Sequence, residues 1–160
     1  MKRLILMRHA EAGWHINMDD HERPLSAVGI RDAKRIGLWL KEKEYIPDEV
    51  ISSTSTRTRE TLSCLFLECP QIFEKSLYLA DAEQMKSTLQ TLLSETVILL
   101  AHNPGITELA HDLMNHEEKH ENFMDFPAAS TLVIDFKADQ WSEVKSDSGI
   151  FVDFVMPLQL

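Results

Sequence analysis

The sequence predicts an α/β fold with three layers, α/β/α, around a mostly parallel central sheet. Two observations carry that expectation. Short apolar runs alternate with stretches of helical periodicity in the order strand, helix, four times over, which calls for strands buried on both faces. Three of those runs also lead, directly or through a short turn, to a basic residue at a strand-to-helix junction: Arg8 and His9 after Leu4–Met7, Arg57 after Val50-Ile51, and His102 after Val97–Leu100.

Each element has its own signal. Residues 3–7 are a short continuous apolar strand. Residues 10–24 are polar and loop-like, ending in Arg23-Pro24; His15 and His21 read as loop decoration, with lining of a pocket mouth the alternative, and Trp14 reads equally as a loop anchor or a substrate-facing aromatic. Ser26 caps a helix that runs to about Lys43 with Val28, Ala33, Ile36, Gly37 and Leu40 on one face. Pro47-Asp48 breaks it, and Glu49–Ser52 forms a second strand. Thr56 to about Leu67 is a helix with Leu62, Leu65 and Phe66 inward, ended by Pro70. Ser76–Leu79 is the expected third strand, and Ala82–Leu93 the next helix, with Met85, Leu89, Leu92 and Leu93 as its core stripe. Thr96–Ala101 is the clearest strand. Pro104-Gly105 then opens a helix whose Ile106, Leu109, Ala110 and Leu113 follow the i, i+3, i+4, i+7 spacing. Residues 115–127 are a polar surface excursion. Ser130–Phe136 and Phe151–Met156 are two strands joined through Trp141 as a hairpin-like extension.

Bulk properties narrow the function. A chain of 160 residues is expected to be one domain, 1–160, with a core that needs no disulfide. The net charge of -10 argues against a nucleic-acid partner, which would call for a basic face. Cys64 and Cys69 are not spaced as a CxxC pair and read as reduced core thiols. Met1-Lys2-Arg3 resembles the start of a signal peptide, but Arg8 interrupts after four apolar residues, short of the ~7–15 required. No segment reaches the ~18 apolar residues of a membrane span. A cytoplasmic protein with no membrane partner is expected.

In a parallel α/β sheet, strand-to-helix junctions gather at the carboxyl ends of the strands, where helix N-termini add unpaired N–H groups. Two arginines and two histidines collected there would form a cup for a tetrahedral dianion. Arginine offers phosphate a planar fork that stays charged. Histidine both binds anions and acts as a nucleophile, giving a phosphoramidate that water then hydrolyses. Such a mechanism needs no metal and no cofactor.

The motifs resemble a known family. Arg8-His9-Ala10-Glu11-Ala12 resembles the RHG/RHA signature of the histidine phosphatase superfamily, the phosphoglycerate mutase-like fold. Ser53 to Thr61 is similar to its SPxxRAxxT segment, with Thr54 and Thr58 replacing Pro and Ala and Thr54 left to cap the helix. Ala101-His102-Asn103-Pro104-Gly105 is similar to its GHNPG segment. The short length, the RHA form and the HNPG segment resemble SixA-type phosphohistidine phosphatases over roughly residues 1–156. The resemblance implies His9 as phospho-accepting nucleophile and Arg8, Arg57, His102 and Asn103 as phosphate ligands. It implies a metal-independent phosphatase acting on phosphohistidine of a signalling or phosphotransfer protein. Small phosphate monoesters are the alternative substrate, and a non-catalytic phosphate-binding member of the fold the alternative class.

The general acid is open. Larger members carry a carboxylate after the second arginine's helix, where Asp81 and Glu83 lie here, with Glu11 an outside candidate. A phosphohistidine leaving group lessens the need for one. Arg59 competes with Arg57, but motif spacing selects Arg57 and leaves Arg59 as a surface charge. His116-Glu117-Glu118-Lys119-His120 spells the HExxH zinc-protease string, yet its charged interior lacks apolar support and reads as part of the solvated excursion.

Overall fold

The computed structural model describes residues 1–118 and 125–160. Six strands form one sheet in the order β3-β2-β4-β1-β5-β6. They are β1 Lys2–Arg8, β2 Glu49–Ser53, β3 Gln71–Glu74, β4 Thr96–Ala101, β5 Thr131–Phe136 and β6 Ile150–Val155. β1 and β2 both pair in parallel with β4, and β3 pairs in parallel with β2. β5 runs antiparallel to β1 and to β6. The helices are α1 Ala27–Glu42, α2 Thr56–Leu65, α3 Ala82–Leu89 and α4 Gly105–Leu113.

Strand alternation sorts the core into two layers. Leu4 and Leu6 of β1, with Val97 and Leu99 of β4, pack against Met85 and Leu89 of α3 and against Ile106, Leu109 and Leu113 of α4. Ile5, Met7, Ile98 and Leu100 point the other way, onto Ala33, Ile36 and Leu40 of α1 and Leu62 and Leu65 of α2. Burying each such side chain contributes about 1.5–3 kcal/mol. The three-layer α/β/α architecture with a mostly parallel sheet is therefore the observed one.

Several local expectations are corrected. The third strand is Gln71–Glu74, not Ser76–Leu79. As an edge strand it needs no apolar run, and Lys75–Leu77 instead forms a 3-10 turn that buries Leu77. α2 ends at Leu65 because Phe66 adopts the left-handed conformation (φ 53°), which leaves its ring 76% exposed rather than inward. α3 stops at Leu89. Leu92 still packs against the core from the following turn, whereas Leu93 is exposed. In α1 Val28 is exposed, while Gly29 and Trp39 are buried alongside Ala33, Ile36 and Leu40. Ser55, not Thr54, caps α2, its hydroxyl accepting from the Thr58 N–H. The two tail strands are not an appendage but the antiparallel side of the sheet. Trp141 between them is buried, its indole N–H donating to the Ser94 carbonyl at 2.7 Å.

β1 sits where the sheet changes from parallel to antiparallel, and the carboxyl ends of β1, β2 and β4 share one edge, where α/β sheets bind ligands. Gly105 opens α4 there. A Cβ at this position would lie 2.0 Å from the Ala80 carbonyl oxygen, which a side chain on its neighbour could not relieve. Gly105→Ala should therefore destabilise the protein by roughly 1–3 kcal/mol. Gly13→Ala, whose Cβ meets mainly the His15 ring at 3.3 Å, should cost less in the same urea-unfolding measurement.

Candidate active site

β1 delivers Arg8 and His9 to the edge. The His9 N–H donates to the Ala101 carbonyl of β4 (3.2 Å), and the Ala10 N–H donates to Thr61 Oγ1 of α2 (3.0 Å). Thr61 in turn donates to the Arg57 carbonyl (2.7 Å), so the strand end is tied to both neighbours. The His9 ring is fixed by its own backbone, Nδ1 lying 2.7 Å from the Ala10 carbonyl oxygen. A carbonyl only accepts, so Nδ1 carries the proton and Nε2 keeps its lone pair. Arg57, 3% exposed, donates from Nε to that Nε2 at 3.3 Å, which fixes the same tautomer.

His102 follows β4. Its ring centroid lies 5.3 Å from that of His9. Its Nε2 is 2.8 Å from Ser53 Oγ at the end of β2, while its Nδ1 is buried without a partner among the described residues. Arg8 donates from Nη1 to the Phe126 carbonyl (3.0 Å), and its Nε is also buried without a partner. Asn103 spends its amide on structure. Nδ2 donates to the same Phe126 carbonyl, and Oδ1 accepts from the Thr107 hydroxyl (2.8 Å) in the first turn of α4.

Burial dominates the electrostatics. It pushes His9 down to about 4, with the Arg57, Arg8 and Arg23 charges lowering it further against the Ala10 hydrogen bond. It pushes His102 down to about 3, helped by His9 and Arg57. The Arg8 guanidinium is lowered for the same reason, with Arg57 adding to the effect. Two fixed positive charges and two neutral imidazoles thus share a buried edge, and Arg8 Nε and His102 Nδ1 have no protein partner among the described residues. An oxyanion with several acceptor oxygens is the ligand that such a set accommodates.

Residues 4–78 match the histidine phosphatase superfamily, branch 1. A crystal structure described as the phosphohistidine phosphatase SixA of Agrobacterium tumefaciens superposes with a TM-score of 0.83 at 26% identity, covering 98% of each chain. Residues 4–78 and the fold as a whole are similar to the histidine phosphatase superfamily. A SixA-described structure from Nakamurella multipartitia gives a TM-score of 0.88 at 24% identity over 98% of this chain and 96% of its own. A protein of Mycobacterium leprae is 29% identical, the match covering 94% of this chain and 99% of that one. The fold is that of the SixA proteins, and the activity class that goes with the superfamily is a phosphatase hydrolase.

Within this phosphatase fold, Arg8, His9, Arg57 and His102 are brought together. Asp81 caps α3 by accepting from the Gln84 N–H (2.9 Å), and Glu83 and Glu11 are exposed. None of the three has a hydrogen bond or ion pair to the quartet among the described residues. Arg59 is exposed, donating to the Thr54 carbonyl and lying 4.0 Å over the Phe73 ring. His116 pairs with Asp147 on the surface, whereas Lys119 and His120 of the HExxH string lie outside the described residues. Cys64 and Cys69 are free, half-buried thiols whose pKa burial raises. No helix among the described residues is long and apolar enough to cross a membrane.

Sequence reading alone missed Asp20, Arg23, Tyr78 and Ser53 as neighbours of the quartet. It also treated His21 as decoration, whereas its Nε2 lies 2.9 Å from Thr54 Oγ1 and its ring packs edge-on against Tyr78. The adjoining Arg23-Pro24, at the end of an otherwise open polar loop, was the available signal.

A histidine with a pKa of about 4, as His9 has, is already mostly neutral at pH 5, where an ordinary histidine near 6.5 would be mostly charged. The acid limb of kcat/KM, corrected for substrate ionisation, should therefore centre near pH 4. A limb near 6.5 would show that His9 titrates as an exposed imidazole.

Proposed function

We propose that this chain is a phosphohistidine phosphatase that removes the phosphoryl group from a signalling or phosphotransfer protein through a phosphohistidine intermediate on His9. The observation that carries the reading is the lone pair of His9 Nε2, faced by the Arg57 guanidinium inside a buried, positively charged cup. In the first step Nε2 attacks phosphorus and the bond from phosphorus to the substrate's imidazole nitrogen breaks. In the second, water displaces His9 and inorganic phosphate leaves. Arg8, Arg57 and His102 spread the charge of the three equatorial oxygens in both transition states. No metal is required in either step.

The substrate class follows from protons. A phosphoimidazole protonated on its other ring nitrogen leaves as neutral imidazole and asks nothing of an enzyme acid, whereas an alkyl phosphate must leave as an alkoxide or be protonated. Asp20 is the carboxylate hydrogen-bonded to the quartet, and Tyr78, Arg23 and Arg57 hold it ionised, well below the usual carboxylate range. Similarity to the SixA structures supports the same substrate class. We place the reaction in the cytoplasm, in keeping with two free thiols.

His9→Ala should abolish turnover with the fold intact, and Arg57→Ala should lower kcat on the order of 10²-fold or more, as lost oxyanion donors do. Wild-type enzyme given labelled phosphoprotein should trap acid-labile, base-stable label. Normal activity in His9→Ala would assign the nucleophile elsewhere.

The lip of the cup bears on the protein substrate. Trp14 is 85% exposed although Arg23 lies 3.9 Å over its ring, and Ile16 beside it is 94% exposed. A small phosphate ester would leave both uncovered, whereas a phosphoprotein docked over His9 would bury them. Trp14→Ala should raise KM for a phosphohistidine protein several-fold while leaving aryl phosphate hydrolysis unchanged. Equal effects on both substrates would remove Trp14 from the docking surface.

A further inference from the structure

Arg57 is aimed by a residue outside the quartet. A guanidinium has five N–H donors and no preferred direction once buried, so something must choose which edge meets the substrate. Here Asp20 takes both ends. Arg57 Nη1 donates to the Asp20 carbonyl oxygen (2.7 Å), and Nη2 donates to Asp20 Oδ2 (3.0 Å). That leaves Nε pointing at His9 Nε2. Asp20 is itself held. The Tyr78 hydroxyl donates to Oδ2, and Arg23 Nη1 donates to Oδ1 at 2.9 Å. Arg23 is tied back to the Gly13 carbonyl (3.1 Å), and His21 pins the same 3-10 turn to Thr54 before α2. Tyr78 also packs its ring against His102, 5.4 Å between centroids and nearly perpendicular.

We propose that Asp20 is a positioning residue for phosphoryl transfer, locking Arg57 so that its Nε edge faces the reacting phosphorus, with Tyr78 and Arg23 holding Asp20 in place. The proposal rests on the reading of Arg57 as a phosphoryl-binding arginine. Asp20 does not donate a proton in this role: its carboxylate stays ionised and works through geometry and charge. Misplacing a transition-state donor by about 1 Å costs on the order of 10²-fold in rate, so the loss of this lock should be visible even though Asp20 touches no reacting atom.

The test uses purified full-length protein and a chromogenic aryl phosphate, with orthovanadate as transition-state mimic. Asp20→Ala should lower kcat by about 10- to 100-fold and weaken orthovanadate more than inorganic phosphate, with an unchanged circular dichroism spectrum. Asp20→Asn, which keeps the main-chain carbonyl and one side-chain acceptor oxygen but loses the charge, should recover part of the loss. Tyr78→Phe should cost less than Asp20→Ala, and the two together no more than Asp20→Ala alone, because both act through one carboxylate. On an Arg57→Ala background, Asp20→Ala should add nothing. If Asp20→Ala does not fold, Asp20→Asn and Tyr78→Phe carry the comparison. Asp20→Ala activity within twofold of wild type, or an equal further loss without Arg57, would overturn the proposal. Full activity in Arg57→Ala would instead sink the underlying reading of the cup, so the two failures are told apart.

Discussion

Parallel pairing of β1 and β2 with β4 sets three strand ends on one edge, and the rest of the site depends on that register. Arg8 pairs with Ala101 across β1 and β4, so His9 and His102 leave the sheet side by side. Ser52 pairs with Leu100 across β2 and β4, which brings Ser53 to the His102 ring and starts α2 where Arg57 reaches His9. None of these four residues is near another in sequence except Arg8 and His9. A one-residue slip between strands would turn each side chain to the other face. The fully apolar inner strands, with Leu4 and Leu6 packed on one layer and Ile5 and Met7 on the other, make such a slip costly. Core packing and catalytic geometry are thus the same constraint seen at two positions along β1.

The site's charge follows from burial. Water is largely excluded from His9 and His102, so neither ring takes up a second proton at neutral pH, and the positive charge resides on arginines that cannot give it up. This separates two roles that histidine could otherwise confuse. A protonated His9 would bind phosphate well and attack it not at all. Because burial and the charges of Arg57, Arg8 and Arg23 keep it neutral, His9 is free for the attack proposed for it while its neighbours supply attraction. Within a chain of net charge -10, that attraction is local. It favours an anion delivered to one point over an extended polyanion.

The sequence made the central elements legible where one physical cause decided them. β4 is an apolar run buried from Val97 to Ala101, and α4 buries one apolar stripe, Ile106, Leu109, Ala110 and Leu113, so both elements lie where the sequence predicts them. β3 was misplaced because an edge strand with one neighbour needs hydrogen bonds more than apolar side chains, and Gln71-Ile72-Phe73-Glu74 shows no pattern that periodicity detects. The ends of α2 and α3 were overrun because apolar residues continue past them. Phe66 turns left-handed and Leu93 swings outward, which hydropathy does not register. At the site, the quartet stood out through motifs anchored to strand ends. Asp20 and Tyr78 did not, because their relation to Arg57 spans 37 and 21 residues of chain and exists only after the loop and the turn after β3 fold onto α2.

Asp20 also bears on how the leaving group of the proposed reaction obtains its proton. A superfamily site that protonates an alkoxide keeps a carboxyl near the leaving oxygen with its proton on. The carboxylate that this chain brings to the cup is engaged by a phenol and two guanidiniums, each of which favours the ionised form. Recruiting it as an acid would mean breaking those contacts as the phosphate, itself an anion, arrives, and the incoming charge would also disturb the hold on Arg57. The same contacts that make Asp20 a poor acid make it a firm anchor. A site arranged this way loses little with a leaving group that departs neutral and much with one that departs as an alkoxide. The proposed phosphohistidine substrate, whose leaving group departs neutral, and the ionisation of Asp20 are therefore compatible parts of one arrangement.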